Sequence, residues 1–209
     1  MGIEMLRIIR YGAFALIGVL ALGWAAVGLG LVDVGQRPLV AAKLSIGSPV
    51  IVPFKLTDQE GRAVSEADLM GRPAVMFFGF TYCPDVCPTT LSALSATLGK
   101  MGPDADKLAV FFVTVDPERD TVGELKQYLS SFDPRVRGLT GAPDQIAAIA
   151  APLKIYYAKV KIDGGGYTMD HDAAVYLIDA NGEFAGTIAY GEDAASAQAK
   201  LERLANGAP

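Results

Sequence analysis

Cysteine and histidine are scarce in this chain of 209 residues: cysteine occurs only at Cys83 and Cys87, and histidine only at His171. A structural zinc site needs four such ligands, and no obvious fourth ligand accompanies these three. Basic residues are also outnumbered, with 18 Lys and Arg against 23 Asp and Glu, and they form no cluster. An acidic chain of this kind is a poor binder of nucleic acid.

Charge is missing altogether from Tyr11 to Val32, an apolar stretch that is long enough to cross a bilayer as a helix. A cleaved secretory signal is the alternative, but the apolar part of such signals is usually about 7–15 residues long, which favours an uncleaved anchor. Arg7 and Arg10 precede the stretch, and only Asp33 directly follows it. The positive-inside rule therefore places the N-terminus in the cytoplasm and the rest of the chain in a bacterial periplasm or an equivalent space.

These patterns divide the chain into three segments. Residues 1–32 contain the predicted transmembrane anchor, residues 33–48 form a tether interrupted by Gly and Pro, and residues 49–209 form one domain. This domain is long enough to bury a core without covalent cross-links. In an oxidising compartment its two cysteines are expected to pair with each other unless something keeps them apart.

The clearest secondary-structure signals surround the two cysteines. Ala74–Phe80 is a nearly continuous apolar run, which is typical of a strand buried on both faces. Pro88 fits the first position of a helix in which leucines recur at spacings of three and four, up to about Lys100. A second buried strand, Leu108–Val115, precedes a helix that Thr121 can cap. The order strand, helix, strand, helix implies a right-handed parallel crossover.

The flanking segments predict shorter elements. Asn181–Gly182 lies between two apolar runs and predicts a closing antiparallel hairpin, in whose tight turn both central residues need positive φ. The other predicted strands are Val50–Leu56, Arg62–Val64, Arg137–Thr140 and Ile155–Ile162, and the other predicted helices are Glu66–Met70, Asp144–Ala151 and Glu192–Leu204.

Two thiols on a turn from a buried strand into a helix, followed by a crossover and a closing hairpin, form the layout of the thioredoxin fold, an α/β fold with a central mixed sheet flanked by helices. Backbone N–H groups and the helix dipole there lower thiol pKa values from about 8.5. This chain differs from an ordinary thioredoxin in two ways. Cys83 and Cys87 are separated by three residues rather than two, and Asp170, His171 and Asp172 replace the proline at the start of the later strand.

His171 is expected beside the thiols, because the predicted sheet brings the start of its strand next to the thiol turn. A lone histidine is more often an ordinary side chain than a ligand. Two thiolates and one imidazole nevertheless form a soft three-donor set suited to copper, and the thiols alone suit Cu(I). A purely structural disulfide is the alternative, but closing so short a loop contributes only about 2 kcal/mol.

Two further features are weaker candidates for metal binding. DPERD, at 116–120, carries several carboxylates, but its place between a buried strand and a helix is more typical of a turn and helix cap. Met169 is a soft donor two residues before His171.

The sequence resembles the Sco/SenC family, membrane-tethered thioredoxin-like copper proteins that help to assemble the copper-A centre of cytochrome c oxidase. The resemblance rests on GFTYCPDVCPTTL at 79–91, VDPERDT at 115–121 and DHDAAVYLID at 170–179, in that order after the predicted anchor. It covers roughly residues 47–205.

The resemblance implies that Cys83, Cys87 and His171 are the copper ligands, for Cu(I) and possibly Cu(II). Asp85 also matches the family pattern. Asp172 departs from it, since a small hydroxyl residue is common there, and an extra carboxylate is expected to raise the pKa of His171 and weaken metal binding at mildly acid pH.

The resemblance also implies a partner and a location. The partner is the copper-A subunit of cytochrome c oxidase or another copper or thiol client, and the location is a bacterial inner membrane with the domain in the periplasm, or an equivalent intermembrane space. Some family members are described as thiol–disulfide oxidoreductases or redox sensors. In that alternative Cys83 and Cys87 are catalytic and His171 is dispensable as a ligand. The histidine in place of proline favours the metallochaperone, which transfers a metal ion without breaking a covalent bond in a substrate.

Overall fold

The computed structural model describes residues 44–207. The predicted anchor and the tether up to residue 43 lie outside these residues. Within residues 44–207, no helix has both the length and the apolar character needed to cross a membrane. The strands are β1 Lys55–Asp58, β2 Ala63–Ser65, β3 Ala74–Gly79, β4 Ala109–Thr114, β5 Val136–Thr140, β6 Tyr157–Lys161, β7 Tyr167–His171, β8 Val175–Ile178 and β9 Phe184–Ile188. The helices are α1 Val86–Met101, α2 Val122–Leu129, α3 Pro143–Ala150 and α4 Ala194–Ala205, with short 3-10 turns at Glu66–Asp68 and Gly102–Lys107.

Seven strands form one mixed sheet in the order β2-β1-β5-β4-β3-β8-β9. Strand β4 is parallel to both β3 and β5, whereas β1 and β8 join antiparallel. Every residue of β3 and β4 is buried, because each strand has a sheet neighbour on both sides and is covered on both faces. The predicted parallel crossover and central mixed sheet are therefore confirmed.

Strands β6 and β7 form a separate two-stranded antiparallel sheet. The sequence predicts His171 at the start of the strand that enters the main sheet, and this prediction is wrong. His171 instead ends β7, and the chain leaves strand geometry before β8 begins at Val175. The break is stabilised locally, since the Asp172 N–H donates to the Tyr156 carbonyl at 3.0 Å and His171 pairs with Tyr157 across the hairpin.

The first predicted strand, Val50–Leu56, overlaps β1 only at its end, because β1 begins at Lys55 and continues to Asp58. Pro53 has no N–H to donate to a ladder, and the N–H of Phe54 donates to the Glu66 carboxylate at 3.3 Å. The segment before β1 still pairs with β9, because the Gly47 N–H donates to the Phe184 carbonyl at 2.9 Å.

The closing hairpin is confirmed, but its turn differs from the predicted one. Of the two central residues, Gly182 has a positive φ of 80° and Asn181 does not. A tight primed turn is replaced by a longer one in which the Asp179 carboxylate accepts the N–H groups of Asn181 and Glu183, each at 2.9 Å. Asp179 thereby satisfies the donors that the strand ladder leaves free.

Asp58 is a buried carboxylate that predicts how stability responds to acid. It accepts hydrogen bonds from Arg62 Nε at 2.9 Å and Arg137 Nη2 at 3.0 Å, as well as from the Arg62 N–H. Burial raises the pKa of Asp58, but the Arg62 N–H and the two guanidinium groups outweigh it and hold the pKa below its usual value.

Because the folded pKa is lowered, Asp58 stabilises the fold above its unfolded pKa of about 3.9, and this contribution disappears as the pH falls through the folded pKa. Asp58→Asn is expected to lower the free energy of unfolding near neutral pH, with a deficit that shrinks in acid. Urea unfolding of both proteins between about pH 6 and pH 2 measures this. A deficit that stays constant over this range would contradict the prediction.

Candidate metal centre

The two thiols lie where the sequence predicts, at the end of β3. Cys83 is in the turn and half-buried, while Cys87 is in the first turn of α1 and fully buried. Helix α1 begins at Val86 rather than at Pro88, which is tolerated there because the first N–H groups of a helix need no helical partner. Both cysteines are free thiols, so the expected disulfide is not formed in this conformation.

His171 reaches the thiols from the end of β7. Its Nε2 lies 3.5 Å from Cys87 Sγ, and its ring packs edge-on against Phe80 with 5.7 Å between ring centres. Its Nδ1 lies 2.8 Å from the carbonyl oxygen of Asp172. Because a carbonyl only accepts, Nδ1 carries the proton of the neutral imidazole, and the lone pair of Nε2 is then free to bind a metal ion. The donor atoms of Cys83, Cys87 and His171 all lie within 4.8 Å of one another.

The environment makes the two thiols unequal. The Cys87 thiol donates to Cys83 and thereby lowers the pKa of Cys83, whereas burial raises it. His171 and the Cys87 N–H, which lies 3.5 Å from Cys83 Sγ, lower the pKa further. Together these contacts lower the pKa of Cys83 to about 3. The same shared proton, together with burial, raises the pKa of Cys87. Cys83 is therefore the thiolate of the pair and Cys87 the thiol.

The reduced, copper-free protein should show this inequality in its reaction with iodoacetamide. We expect the alkylation rate of Cys83 to be nearly independent of pH from about 5 to 8, whereas an ordinary thiol reacts about tenfold faster per pH unit below its pKa. Buried Cys87 should stay unmodified. Peptide mass spectrometry of timed samples measures both rates, and a tenfold rise per unit at Cys83 would contradict the assignment.

Asp172 influences His171 differently from the expectation. Its carboxylate turns away and accepts the Tyr156 N–H at 2.7 Å, while its backbone carbonyl contacts the imidazole. Burial lowers the pKa of His171. In the protonated ring, however, Nε2–H can donate to the Cys83 thiolate while Nδ1–H donates to the Asp172 carbonyl, and these contacts outweigh burial and raise the pKa. The pKa rises as expected, but the Asp172 carboxylate is not among the causes.

Met169, the other soft donor considered near His171, is buried in the hydrophobic core.

The DPERD turn after β4 forms a turn and a helix cap, as predicted, since the Thr121 side chain accepts the Glu124 N–H at 3.2 Å. It also supports the thiol turn. Buried Asp120 accepts the Thr81 N–H at 3.1 Å, the Thr81 hydroxyl at 2.6 Å and the Thr114 hydroxyl at 2.6 Å. Sequence reasoning missed this role, because Thr81 and Asp120 are 39 residues apart and no local pattern shows that they meet.

A central mixed sheet with two thiols at a strand-to-helix turn and an imidazole beside them defines a thioredoxin-like protein with a soft, copper-compatible donor set. The SCO1/SenC family model matches residues 43–206. The chain belongs to the SCO1/SenC family.

Relatives of known name and structure agree with this assignment. The chain is similar to ScoI of Bradyrhizobium japonicum, solved with copper bound, at 47% identity and a TM-score of 0.69, covering 77% of this chain and 99% of that one. It is 39% identical over 152 residues to an SCO2-like protein of Rickettsia felis, covering 72% of each chain. It is 39% identical over 139 residues to the mitochondrial SCO1 homolog 1 of Arabidopsis thaliana, covering 66% of this chain but only 40% of the plant protein.

Proposed function

We propose that this protein is a membrane-anchored copper chaperone that binds copper through Cys83 Sγ, Cys87 Sγ and His171 Nε2. Its client is the copper-A subunit during assembly of cytochrome c oxidase. The observation that carries the proposal is the convergence of these three soft donors, all within 4.8 Å of one another. The copper-bound ScoI structure, at 47% identity, supports copper as the cargo.

The three donors have different roles in loading and release. Half-buried Cys83 is already a thiolate and is the first donor that an arriving ion meets. Cys87 must give up its proton, so copper binding releases a proton. His171 enters as a neutral ligand whose ring is held by the Asp172 carbonyl. Transfer then proceeds by ligand exchange, with client thiolates replacing the more accessible Cys83 first.

The proposed cellular arrangement follows the charge pattern of the sequence. Residues 1–32 anchor the protein in a bacterial inner membrane, residues 33–48 form the tether and residues 49–209 form the periplasmic copper domain. An anchor of this kind keeps the site close to a membrane-embedded client and raises the effective concentration of the pair.

The inequality of the thiols also supports a second candidate function, reduction of client disulfides. The Cys83 thiolate would attack a client sulfur, break the client S–S bond and release one client thiolate. Cys87, after losing its proton, would attack Cys83, release the second client thiolate and leave a Cys83–Cys87 disulfide. The client gains two electrons and this pair loses them, so each turnover needs a reductant that restores the dithiol.

One mixing experiment separates the two functions. Full-length reduced protein carrying one equivalent of Cu(I) is mixed with copper-free copper-A subunit, in parallel samples with its cysteines reduced or oxidised. We expect copper to move to the reduced client while the thiol count of both proteins stays constant. Client thiols that appear in step with a Cys83–Cys87 disulfide, without copper transfer, would instead establish the oxidoreductase. A Cys83→Ser variant is the control for both reactions.

A further inference from the structure

The hairpin β6–β7 carries His171 but has no backbone pairing with the main sheet. It is attached by side chains to the turn that follows β4. Arg119 Nη1 donates to the Tyr167 carbonyl at 3.1 Å, and the Tyr167 hydroxyl donates to Asp116 at 2.9 Å. Lys159 forms an ion pair with Glu118 at 2.7 Å. Strand β7 is therefore held at Tyr167, four residues before the proposed histidine ligand.

Arg119 also contacts the thiol side of the site. Its guanidinium carbon lies 3.9 Å from the centre of the Tyr167 ring and 4.9 Å from the centre of the Tyr82 ring, and Tyr82 directly precedes Cys83. It lies 5.8 Å from the centre of the Phe80 ring, which in turn packs edge-on against His171. One side chain thus packs between the two parts of the chain that supply the donors.

The guanidinium group of Arg119 makes several contacts, although its side chain reaches the surface. Arg119 is 26% exposed, and its Nε donates to Asp116, which is buried. Its Nη2 is buried and has no hydrogen-bond partner among residues 44–207, so the faces of the surrounding aromatic rings are the groups that stabilise the cation there. A buried donor without a partner is costly, and its presence indicates that the packing around Arg119 determines where the guanidinium lies.

We propose that Arg119 is a positioning residue for the copper site, which sets the separation between the thiols and the imidazole without touching the metal. The inference rests on the proposed function. A two-stranded hairpin by itself is only marginally stable in water, so the position of His171 depends on the contacts of this hairpin with the rest of the domain, which include the burial of Met169 and the contacts of Arg119. Holding the donors at the binding geometry before copper arrives removes an ordering cost from binding.

The test is a double-mutant cycle on the full-length protein, with Cu(I) affinity measured by competition against a chromophoric chelator. Arg119→Gln is expected to weaken binding about 10–100-fold in the wild-type background, the usual effect of losing an outer partner of a metal ligand. In the His171→Ala background the same change is expected to have little effect, about twofold at most, because the imidazole that Arg119 positions is gone.

Two further variants keep the test decisive. Arg119→Lys retains the cation but not the planar fork of the guanidinium, and it is expected to show an intermediate loss of copper affinity. It takes the place of Arg119→Gln in the cycle if that variant folds poorly. Arg137→Gln is the matched control, since Arg137 is 32% exposed, pairs with buried Asp58 at 3.0 Å and lies 5.5 Å from the Phe111 ring centre. It is expected to change stability but not copper affinity.

The outcomes separate the inference from the function on which it rests. If His171→Ala weakens binding but Arg119→Gln does not, the three-donor site stands and the positioning role is wrong. If Arg119→Gln weakens binding equally in both backgrounds, Arg119 is only a structural residue. If His171→Ala itself leaves copper affinity unchanged, the proposed site fails and the inference fails with it.

Discussion

His171→Ala is expected to weaken Cu(I) binding by at least about 100-fold, because outer-shell partners of a metal ligand already cost 10–100-fold and His171 is a proposed direct ligand. The Cys83–Cys87 pair should still form a disulfide and be reduced again. It remains a low-affinity two-thiolate site, since the imidazole adds the third donor and also lowers the pKa of Cys83.

Copper competition titrations of the reduced protein measure the affinity, and thiol counts before and after mild oxidation measure the pair. Thr168→Ala is the matched control, because successive strand residues point to opposite faces and Thr168 precedes His171 by three positions on β7. Wild-type copper affinity in His171→Ala would remove the histidine from the site. Disulfide-reductase activity that survives the substitution unchanged would favour the oxidoreductase.

Gly79→Ala is expected to disturb both the core and the site. A Cβ at residue 79 would lie 2.7 Å from Cys87 Sγ and 2.8 Å from Phe112 Cε2, and both of these side chains are buried. One of them must move, and overpacking of this kind costs typically about 1–3 kcal/mol. Movement of Cys87 would also displace a proposed ligand, so copper affinity is expected to fall together with stability.

Urea unfolding measures the first effect and copper competition the second. Gly99→Ala is the matched control within α1, because a Cβ there meets nothing within 4 Å and helix propensity should raise stability by about 0.5–1 kcal/mol. Unchanged stability in Gly79→Ala would show that the strand absorbs the methyl group. Lower stability with unchanged copper affinity would show that the Phe112 ring, not the thiol, gives way.

The elements nearest the thiols were predictable because their signals are local. The apolar runs of β3 and β4 mark strands buried on both faces, and Thr121 marks the start of α2 with a capping side chain. The thiol turn between β3 and α1 follows from these neighbours. Such patterns depend on residues a few positions apart, which a sequence displays directly.

The environment of the histidine was not predictable in the same way. Residues 170–179 read as one strand, yet β7 and β8 belong to different sheets. The separation depends on contacts between distant parts of the chain, such as the Tyr167 hydroxyl with Asp116 and Arg119 with the Tyr82 ring. The periodicity of a sequence does not show which distant side chains will meet. Neither the attachment of the hairpin nor the proposed role of Arg119 could therefore be predicted from it.

By itself, the sequence determined the donor types, because two cysteines and one histidine are all the soft side chains of these kinds that the chain has. It also determined that the thiols begin a helix behind a buried strand. Only the tertiary structure decided that Cys83 is the thiolate, that the Asp172 backbone rather than its carboxylate orients His171, and that the imidazole arrives on a separate hairpin. Proton sharing and ligand geometry depend on distances of a few ångströms, and such distances exist only once the chain has folded.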